Sequence, residues 1–139
     1  MALTIRPFDD QDEAAVVGLW HAVFPDDPPR NDPRAIIRRK RRVQPELLLV
    51  GETDGRIVAT VVAGYDGHRG WIYHLAVAAD ARRQGYGRAM MAAAEARLRE
   101  LGCPKLNLQV HRFNAEVVAF YEGLGYTVED RISMGKVLA

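Results

Sequence analysis

The sequence predicts an α/β chain of the α+β kind: a central, mostly antiparallel sheet of six to seven strands, flanked by about four helices. Two observations carry this. Three β-type runs in the middle of the chain are separated by Asp- and Gly-bearing turns, without helices between them, so they form a meander with no repeated βαβ unit. Stripes of apolar residues spaced by three and four lie on either side of that meander, bounded by capping residues, prolines and glycines. No repeat, low-complexity segment or second domain interrupts the 139 residues, so 1–139 is expected to be one domain.

The elements follow in order. LTIRPF is a short strand ended by Pro7 and an acidic turn. From Asp10 to Phe24 a helix places Ala14, Val17 and Trp20 on one face, with Asp9 or Asp10 as its cap. FPDDPPRNDP is too rich in proline to continue it. Asn31 or Asp32 then caps a second helix, with Pro33 in its first turn, to about Val43. LLLVGE and RIVATVVAGY are strands joined through Asp54-Gly55, and Asp66, Gly67 and Gly70 mark the turn before WIYHLAV. Met91, Ala94, Leu98 and Leu101 form the stripe of a helix from about Gly85, which Gly102 ends and Pro104 cannot continue. KLNLQVH returns to strand character. NAEVVAFYEGLGY is a helix capped by Asn114, with Val117, Phe120 and Leu124 toward the core and Gly125 near its end. Residues 126–138 leave room for two short strands.

Composition excludes several function classes. Apolar residues make up 48% and charged residues 27%, the balance of a soluble globular protein. No apolar run approaches 18 residues, so no membrane span or membrane partner is expected, and MALTIRPFDDQDE does not read as a secretory signal. The net charge of +1 offers no global case for nucleic acid, although RRKRR at 38–42 makes a local basic face. A lone cysteine, Cys103, excludes an intramolecular disulfide and suits a reducing, cytoplasmic setting. His68, His74, His111 and Cys103 lack the spacing of a zinc site, so no metal is expected. A homodimer stays open, since no interface is identifiable.

The chemistry gathers around ARRQGYGRAM, residues 81–90. A strand feeds a glycine-rich connection and then a helix whose first amides have no intrahelical acceptor. Gly85 and Gly87 let the chain turn and let an anion approach, while Arg82, Arg83 and Arg88 supply charge. An ordinary turn with solvated arginines fits this segment as well. The Gly-Lys-Ser/Thr ending of nucleotide triphosphatases is absent, and the third small residue and repeated βαβ context of a dinucleotide site are missing. Tyr121 lies two turns beyond Asn114. A phenol with a reference pKa of about 10 suits proton donation to a departing thiolate, though a core tyrosine is the alternative.

RRQGYG, preceded by HLAV and followed by NAEVVAFYEGLGY, resembles the GCN5-related N-acetyltransferase (GNAT) family, in particular its small single-domain bacterial members. The whole chain can be laid on that fold. The resemblance implies transfer of an acetyl group from acetyl-CoA to a primary amine of a small molecule, peptide or protein, directly and through a tetrahedral intermediate. It implies that the backbone of Gln84, Gly85, Tyr86, Gly87 and Arg88 holds the pyrophosphate. Leu75, Ala76 and Val77 would pair with the pantetheine arm, and the N–H groups near Leu75 and Ala76 would face the oxyanion. Asn114 would contact the same arm, and Tyr121 would protonate the coenzyme A thiolate. A non-catalytic acyl-CoA-binding module, or transfer of another acyl group, are the competing expectations.

One position departs from the pattern. Where some relatives carry glutamate or histidine, this chain has Gln109, and a neutral amide is no general base. The base is therefore sought at His111, which strand alternation puts on the side of Gln109, at Glu46 before LLLV, or at His74 on the thioester strand. Deprotonating a lysine amine at pH 7 costs about 4.6 kcal/mol, and an α-amine of pKa about 8 only about 1.4 kcal/mol, so a weaker base favours a less basic acceptor. By the resemblance, the first two helices and PDDPPRND wall the acceptor, where Asp26, Asp27 and Asp32 could attract an amine and Trp20 or Phe24 could offer apolar surface.

Overall fold

A computed structural model describes residues 2–139; Met1, where the expected domain begins, lies outside the described residues. Among the described residues five strands and four α-helices are present: β1 (Thr4–Pro7), α1 (Glu13–Val23), α2 (Pro33–Lys40), β2 (Leu48–Thr53), β3 (Arg56–Tyr65), β4 (Gly70–Val77), α3 (Tyr86–Glu100), β5 (Leu106–Leu108) and α4 (Ala115–Gly123). The contacts divide the chain into two units, the first ending at Leu108 and the second spanning Gln109–Ala139.

In the first unit the strands run in the order β1-β2-β3-β4-β5. The first three pairings are antiparallel and β4–β5 is parallel. The hairpin between β2 and β3 turns on Asp54 at φ +52° and Gly55 at φ +72°, as the Asp-Gly pair predicts. Between β3 and β4, Asp66 Oδ1 accepts the amides of His68 and Arg69, both at 2.8 Å. Gln44 extends the sheet at the end of β3, its side-chain amide donating to the Tyr65 carbonyl at 2.8 Å and accepting the Tyr65 amide at 2.9 Å.

β3 is covered on both faces, which explains its unbroken buried run from Val58 to Ala63. Thr60 meets Trp20 of α1. Gly51 is paired with Ala59, and a β-carbon there would come within 2.9 Å of Met90 Sδ on α3. Neighbouring strand residues point to opposite faces, so α1 and α3 lie on opposite sides of the sheet. Trp20, Val16, Leu48, Val61, Met90 and Ala94 fill the two halves of the core.

Several expectations are corrected at the ends of elements. α1 begins at Glu13 after a 3₁₀ turn that Asp9 caps, and it buries Val16, Val17, Leu19 and Trp20, leaving Ala14 exposed. The helix meets the sheet along a band shifted from the expected stripe. α2 stops at Lys40, capped by Asp32, whose Oδ2 accepts the Ala35 amide at 3.1 Å. α3 ends as expected at Gly102, in the left-handed region at φ +83°, but Leu101 is 46% exposed and lies outside the stripe.

The second unit contains α4. Asn114 caps it by accepting the Val117 amide at 3.3 Å, and Gly125 at φ +96° ends it. Val117, Phe120 and Leu124 are half-buried there, and none of the residues of α4 is fully buried. Residues 126–139 form no strand. The sheet therefore has five strands, against the expected six to seven, because the tail's apolar residues form no ladder and β5 ends at Leu108.

Candidate functional site

The site begins where β4 loses its partners. β5 pairs only with Gly70–Ile72, so from Tyr73 to Val77 that edge of β4 has no strand neighbour among the described residues. An unpaired edge exposes peptide N–H and C=O groups at regular spacing, which an extended amide-bearing ligand can match. Leu75, Ala76 and Val77 lie on this stretch.

β4 also carries an irregularity there. Thr60 pairs with Ala76 and Val62 with Tyr73, so β4 holds one more residue than β3 between these pairs. His74 takes up the extra length at φ +50°. A side chain that bears a β-carbon in the left-handed region costs on the order of 1 kcal/mol or more, so neighbouring structure has to hold it.

The His74 side chain is held by α1 and the segment after it. Its ring lies 4.9 Å from that of Trp20 and 4.8 Å, edge to face, from that of Phe24. Nε2 is 3.3 Å from Asp27 Oδ2. Burial among these rings pushes the imidazole below its ordinary value, while the charge and hydrogen bond of Asp27 partly restore it. The result is a neutral imidazole near pH 7, oriented by a carboxylate, which is the condition for accepting a proton. Beside it opens a cleft of about 220 Å³ lined by Trp20, His21, Phe24, Asp27, Asp32 and a series of prolines. Aromatic and proline surface with two carboxylates suits an amine on an apolar body.

Downstream of Val77 a short 3₁₀ turn, Ala79–Ala81, leads to the glycine turn. Arg83 at φ +65° and Gly85 at φ +79° reverse the chain, and α3 begins at Tyr86. The Ala89 amide is taken up by the Gly85 carbonyl at 3.0 Å, so the helix's hydrogen-bond ladder starts there and the amides before it lie at its positive end. Arg82, Arg83, Gln84, Gly85 and Arg88 are exposed, Gly87 is half-buried and Tyr86 is buried. Arg82 Nε donates to the Val77 carbonyl at 3.4 Å, which ties the turn to the end of β4. Backbone amides, a left-handed glycine and three arginines thus make a surface suited to an anionic group.

Glu46 is exposed on the turn before β2 and faces Lys40, whose ammonium burial pushes down and Glu46 partly restores. Among the described residues no hydrogen bond or ion pair joins Glu46 to His74, whose carboxylate partner is Asp27. His111 is exposed and follows the end of β5 by three residues, so strand alternation does not place it; its carbonyl accepts the Asn114 amide at 2.9 Å. Gln109 donates to Ser133 Oγ within the second unit.

On α4, Tyr121 packs edge to face against Phe120 and Tyr126 at 5.0 and 5.7 Å. Burial pushes its hydroxyl up to about 12, so it stays protonated through neutral and mildly alkaline pH. Asn114 uses its side-chain oxygen as the helix cap.

Thr60 escaped sequence reasoning. It is fully buried and donates its hydroxyl to the His74 carbonyl at 3.0 Å. Its signal was present, as the one polar residue inside VATVVA, but a buried threonine in a strand is common enough to pass unremarked.

Comparison with known proteins bears on the family and the fold. The pattern of the acetyltransferase (GNAT) family matches residues 12–126. An acetyltransferase of Yersinia enterocolitica is 43% identical over 137 residues, covering 98% of this chain and 96% of the relative. Among solved structures, Ard1 from Thermoplasma volcanium superposes with a TM-score of 0.82 at 27% identity, over 93% of this chain and 85% of its own. The PaiA N-acetyltransferase of Thermoplasma acidophilum, solved with coenzyme A, shares the fold with a TM-score of 0.81 at 17% identity, over 95% and 94% of the two chains. With an interrupted strand edge leading into a glycine turn at a helix start, and with relatives matching almost end to end, the chain belongs to the GNAT acetyltransferase family and is an acyl-CoA-dependent transferase.

Proposed function

We propose that this protein moves an acetyl group from acetyl-CoA directly to a primary amine, through a tetrahedral intermediate and without a covalent enzyme intermediate. The observation that carries this reading is the stretch of β4 from Tyr73 to Val77, free of a strand partner on one edge and running into the glycine turn of α3. Leu75, Ala76 and Val77 offer peptide groups to the pantetheine arm. Gln84 to Arg88, with Arg82 and Arg83, hold the pyrophosphate. Asn114 contacts the arm through its remaining amide capacity. The coenzyme A bound to the PaiA protein of the same fold supports this donor. Among the described residues no group of three or more ligating side chains could hold a metal ion, and the chemistry asks for none.

His74 is the favoured base, ahead of Glu46 and His111, because it faces a carboxylate and packs against Trp20 and Phe24, which line the cleft, on the interrupted strand. The acceptor amine, drawn by Asp27 and seated against Trp20 and Phe24, gives its proton to the neutral imidazole and attacks the thioester carbonyl. The amides of Leu75 and Ala76 stabilise the oxyanion that develops. As the intermediate collapses, Tyr121 donates its proton to the leaving thiolate. The family pattern crosses from the first unit into the second, which supports one functional domain over 1–139. A cytoplasmic place of action fits the single free cysteine.

Release of free coenzyme A across a panel of small amines, peptides and proteins tests the reading, with propionyl- and succinyl-CoA as competing donors. Turnover with acetyl-CoA is expected, and binding without any turnover would instead establish a non-catalytic module. Tyr121→Phe is expected to preserve acetyl-CoA binding and slow transfer about a hundredfold. An unchanged rate removes Tyr121 from the mechanism.

A further inference from the structure

The His74 backbone is the strained point of β4, and its support comes from outside that strand. An extra residue in one strand leaves a carbonyl without its ladder donor. Here the His74 carbonyl accepts the Thr60 hydroxyl at 3.0 Å instead. The same Thr60 oxygen accepts Trp20 Nε1–H at 2.8 Å. Thr60 and Trp20 are 0% and 1% exposed, so water does not compete for the bond between them. The Thr60 hydroxyl therefore has both its donor and its acceptor role committed. It joins α1, which walls the cleft, to the residue whose ring lies against that same helix.

We propose that Thr60 is a positioning residue for acyl transfer: its hydroxyl holds the His74 backbone in the left-handed turn and thereby sets both the imidazole against Asp27 and the Leu75–Ala76 amides at the open edge of β4. This rests on the assignment of β4 as the thioester strand. Trp20 completes the device by fixing which way the hydroxyl points. Valine has the shape of threonine and neither hydrogen-bonding role, whereas serine keeps both roles and loses only a methyl group. Without the hydroxyl, the buried Trp20 N–H and the His74 carbonyl both lose this partner, and the strand relieves this by relaxing the turn.

The test compares Thr60→Val with Thr60→Ser by kcat, by acetyl-CoA affinity in calorimetry, and by NMR titration of the His74 ring. Thr60→Val is expected to lower kcat about tenfold to a hundredfold through misplacement of the reacting groups. Acetyl-CoA affinity should fall less than kcat, since the turn from Arg82 to Arg88 is untouched while the Leu75–Ala76 amides that face the pantetheine arm shift. The His74 ring, released from Trp20, Phe24 and Asp27, should titrate closer to an ordinary histidine. Thr60→Ser is expected to restore both rate and titration. Wild-type rate and titration in Thr60→Val would overturn the proposal, as would a Thr60→Ser protein as slow as Thr60→Val. If Thr60→Val does not fold, Thr60→Ser and Thr60→Ala, which differ in the hydroxyl alone, make the same comparison. A wild-type protein that acetylates no amine would end the transferase reading. The His74 titration, which needs no acceptor, would still decide the role of Thr60.

Discussion

His74 and Asp27 form the pair on which the proton chemistry turns. Burial lowers the imidazole and Asp27 raises it, with burial the larger influence. If His74 takes the amine proton, kcat rises with pH through a value below the ordinary histidine range of about 6.5. Asp27→Asn removes the raising influence, so the acid limb of the profile moves to still lower pH. It also leaves the imidazolium formed in the reaction without its partner, and a fall in kcat of about tenfold accompanies the shift. Initial rates between pH 5 and 8 on a saturating amine measure both, and an unmoved limb assigns the proton to another group. The same depression has a stability sign. The unfolded chain takes up the proton near the ordinary value and the folded chain at a lower pH, so this stability is present above the ordinary range and is lost as pH falls from there through the lower folded value. His74 was legible in the sequence as a histidine on the thioester strand. Its φ of +50° was not, because nothing local to HLAV calls for a left-handed residue.

At the scale of elements, the glycine turn and the start of α3 are the part the sequence described most fully. Gly85 adopts φ +79°, and a β-carbon there would meet nothing within 4 Å. Gly85→Ala is therefore free of clashes and carries only the backbone cost, about 1 kcal/mol in urea unfolding. The new methyl projects from the turn that the diphosphate is proposed to approach, so acetyl-CoA affinity should fall about tenfold by calorimetry. Destabilisation with unchanged affinity would place the diphosphate elsewhere. Capping residues were legible for the same reason as Gly85: Asp32 and Asn114 bond to amides three residues away. β5 was not. KLNLQVH has strand composition along its whole length, yet among the described residues only Leu106–Leu108 pair with β4, at Gly70–Ile72. The corrected position of His111 follows directly from that shortening.

For the whole molecule, ligand linkage gives a prediction independent of any acceptor. Acetyl-CoA at about a hundred times its dissociation constant should add about 2.7 kcal/mol to the unfolding free energy. For a chain of this size that raises the melting temperature by roughly 8 °C. A single calorimetric transition that shifts as a whole supports 1–139 as one functional domain. Two transitions, of which one shifts, would separate the units ending at Leu108 and beginning at Gln109. The sequence by itself determined the helices, the Asp-Gly hairpin, the caps and the glycine turn, because each depends on residues within a few positions of one another. Tertiary structure alone decided where β4 gains a residue, where β5 stops, and which histidine meets a carboxylate. Those outcomes rest on bonds across long separations: Thr60 to His74 over 14 residues, Trp20 to Thr60 over 40 and His74 to Asp27 over 47. Local propensity carries no information about such pairings; packing α1 against the sheet creates them.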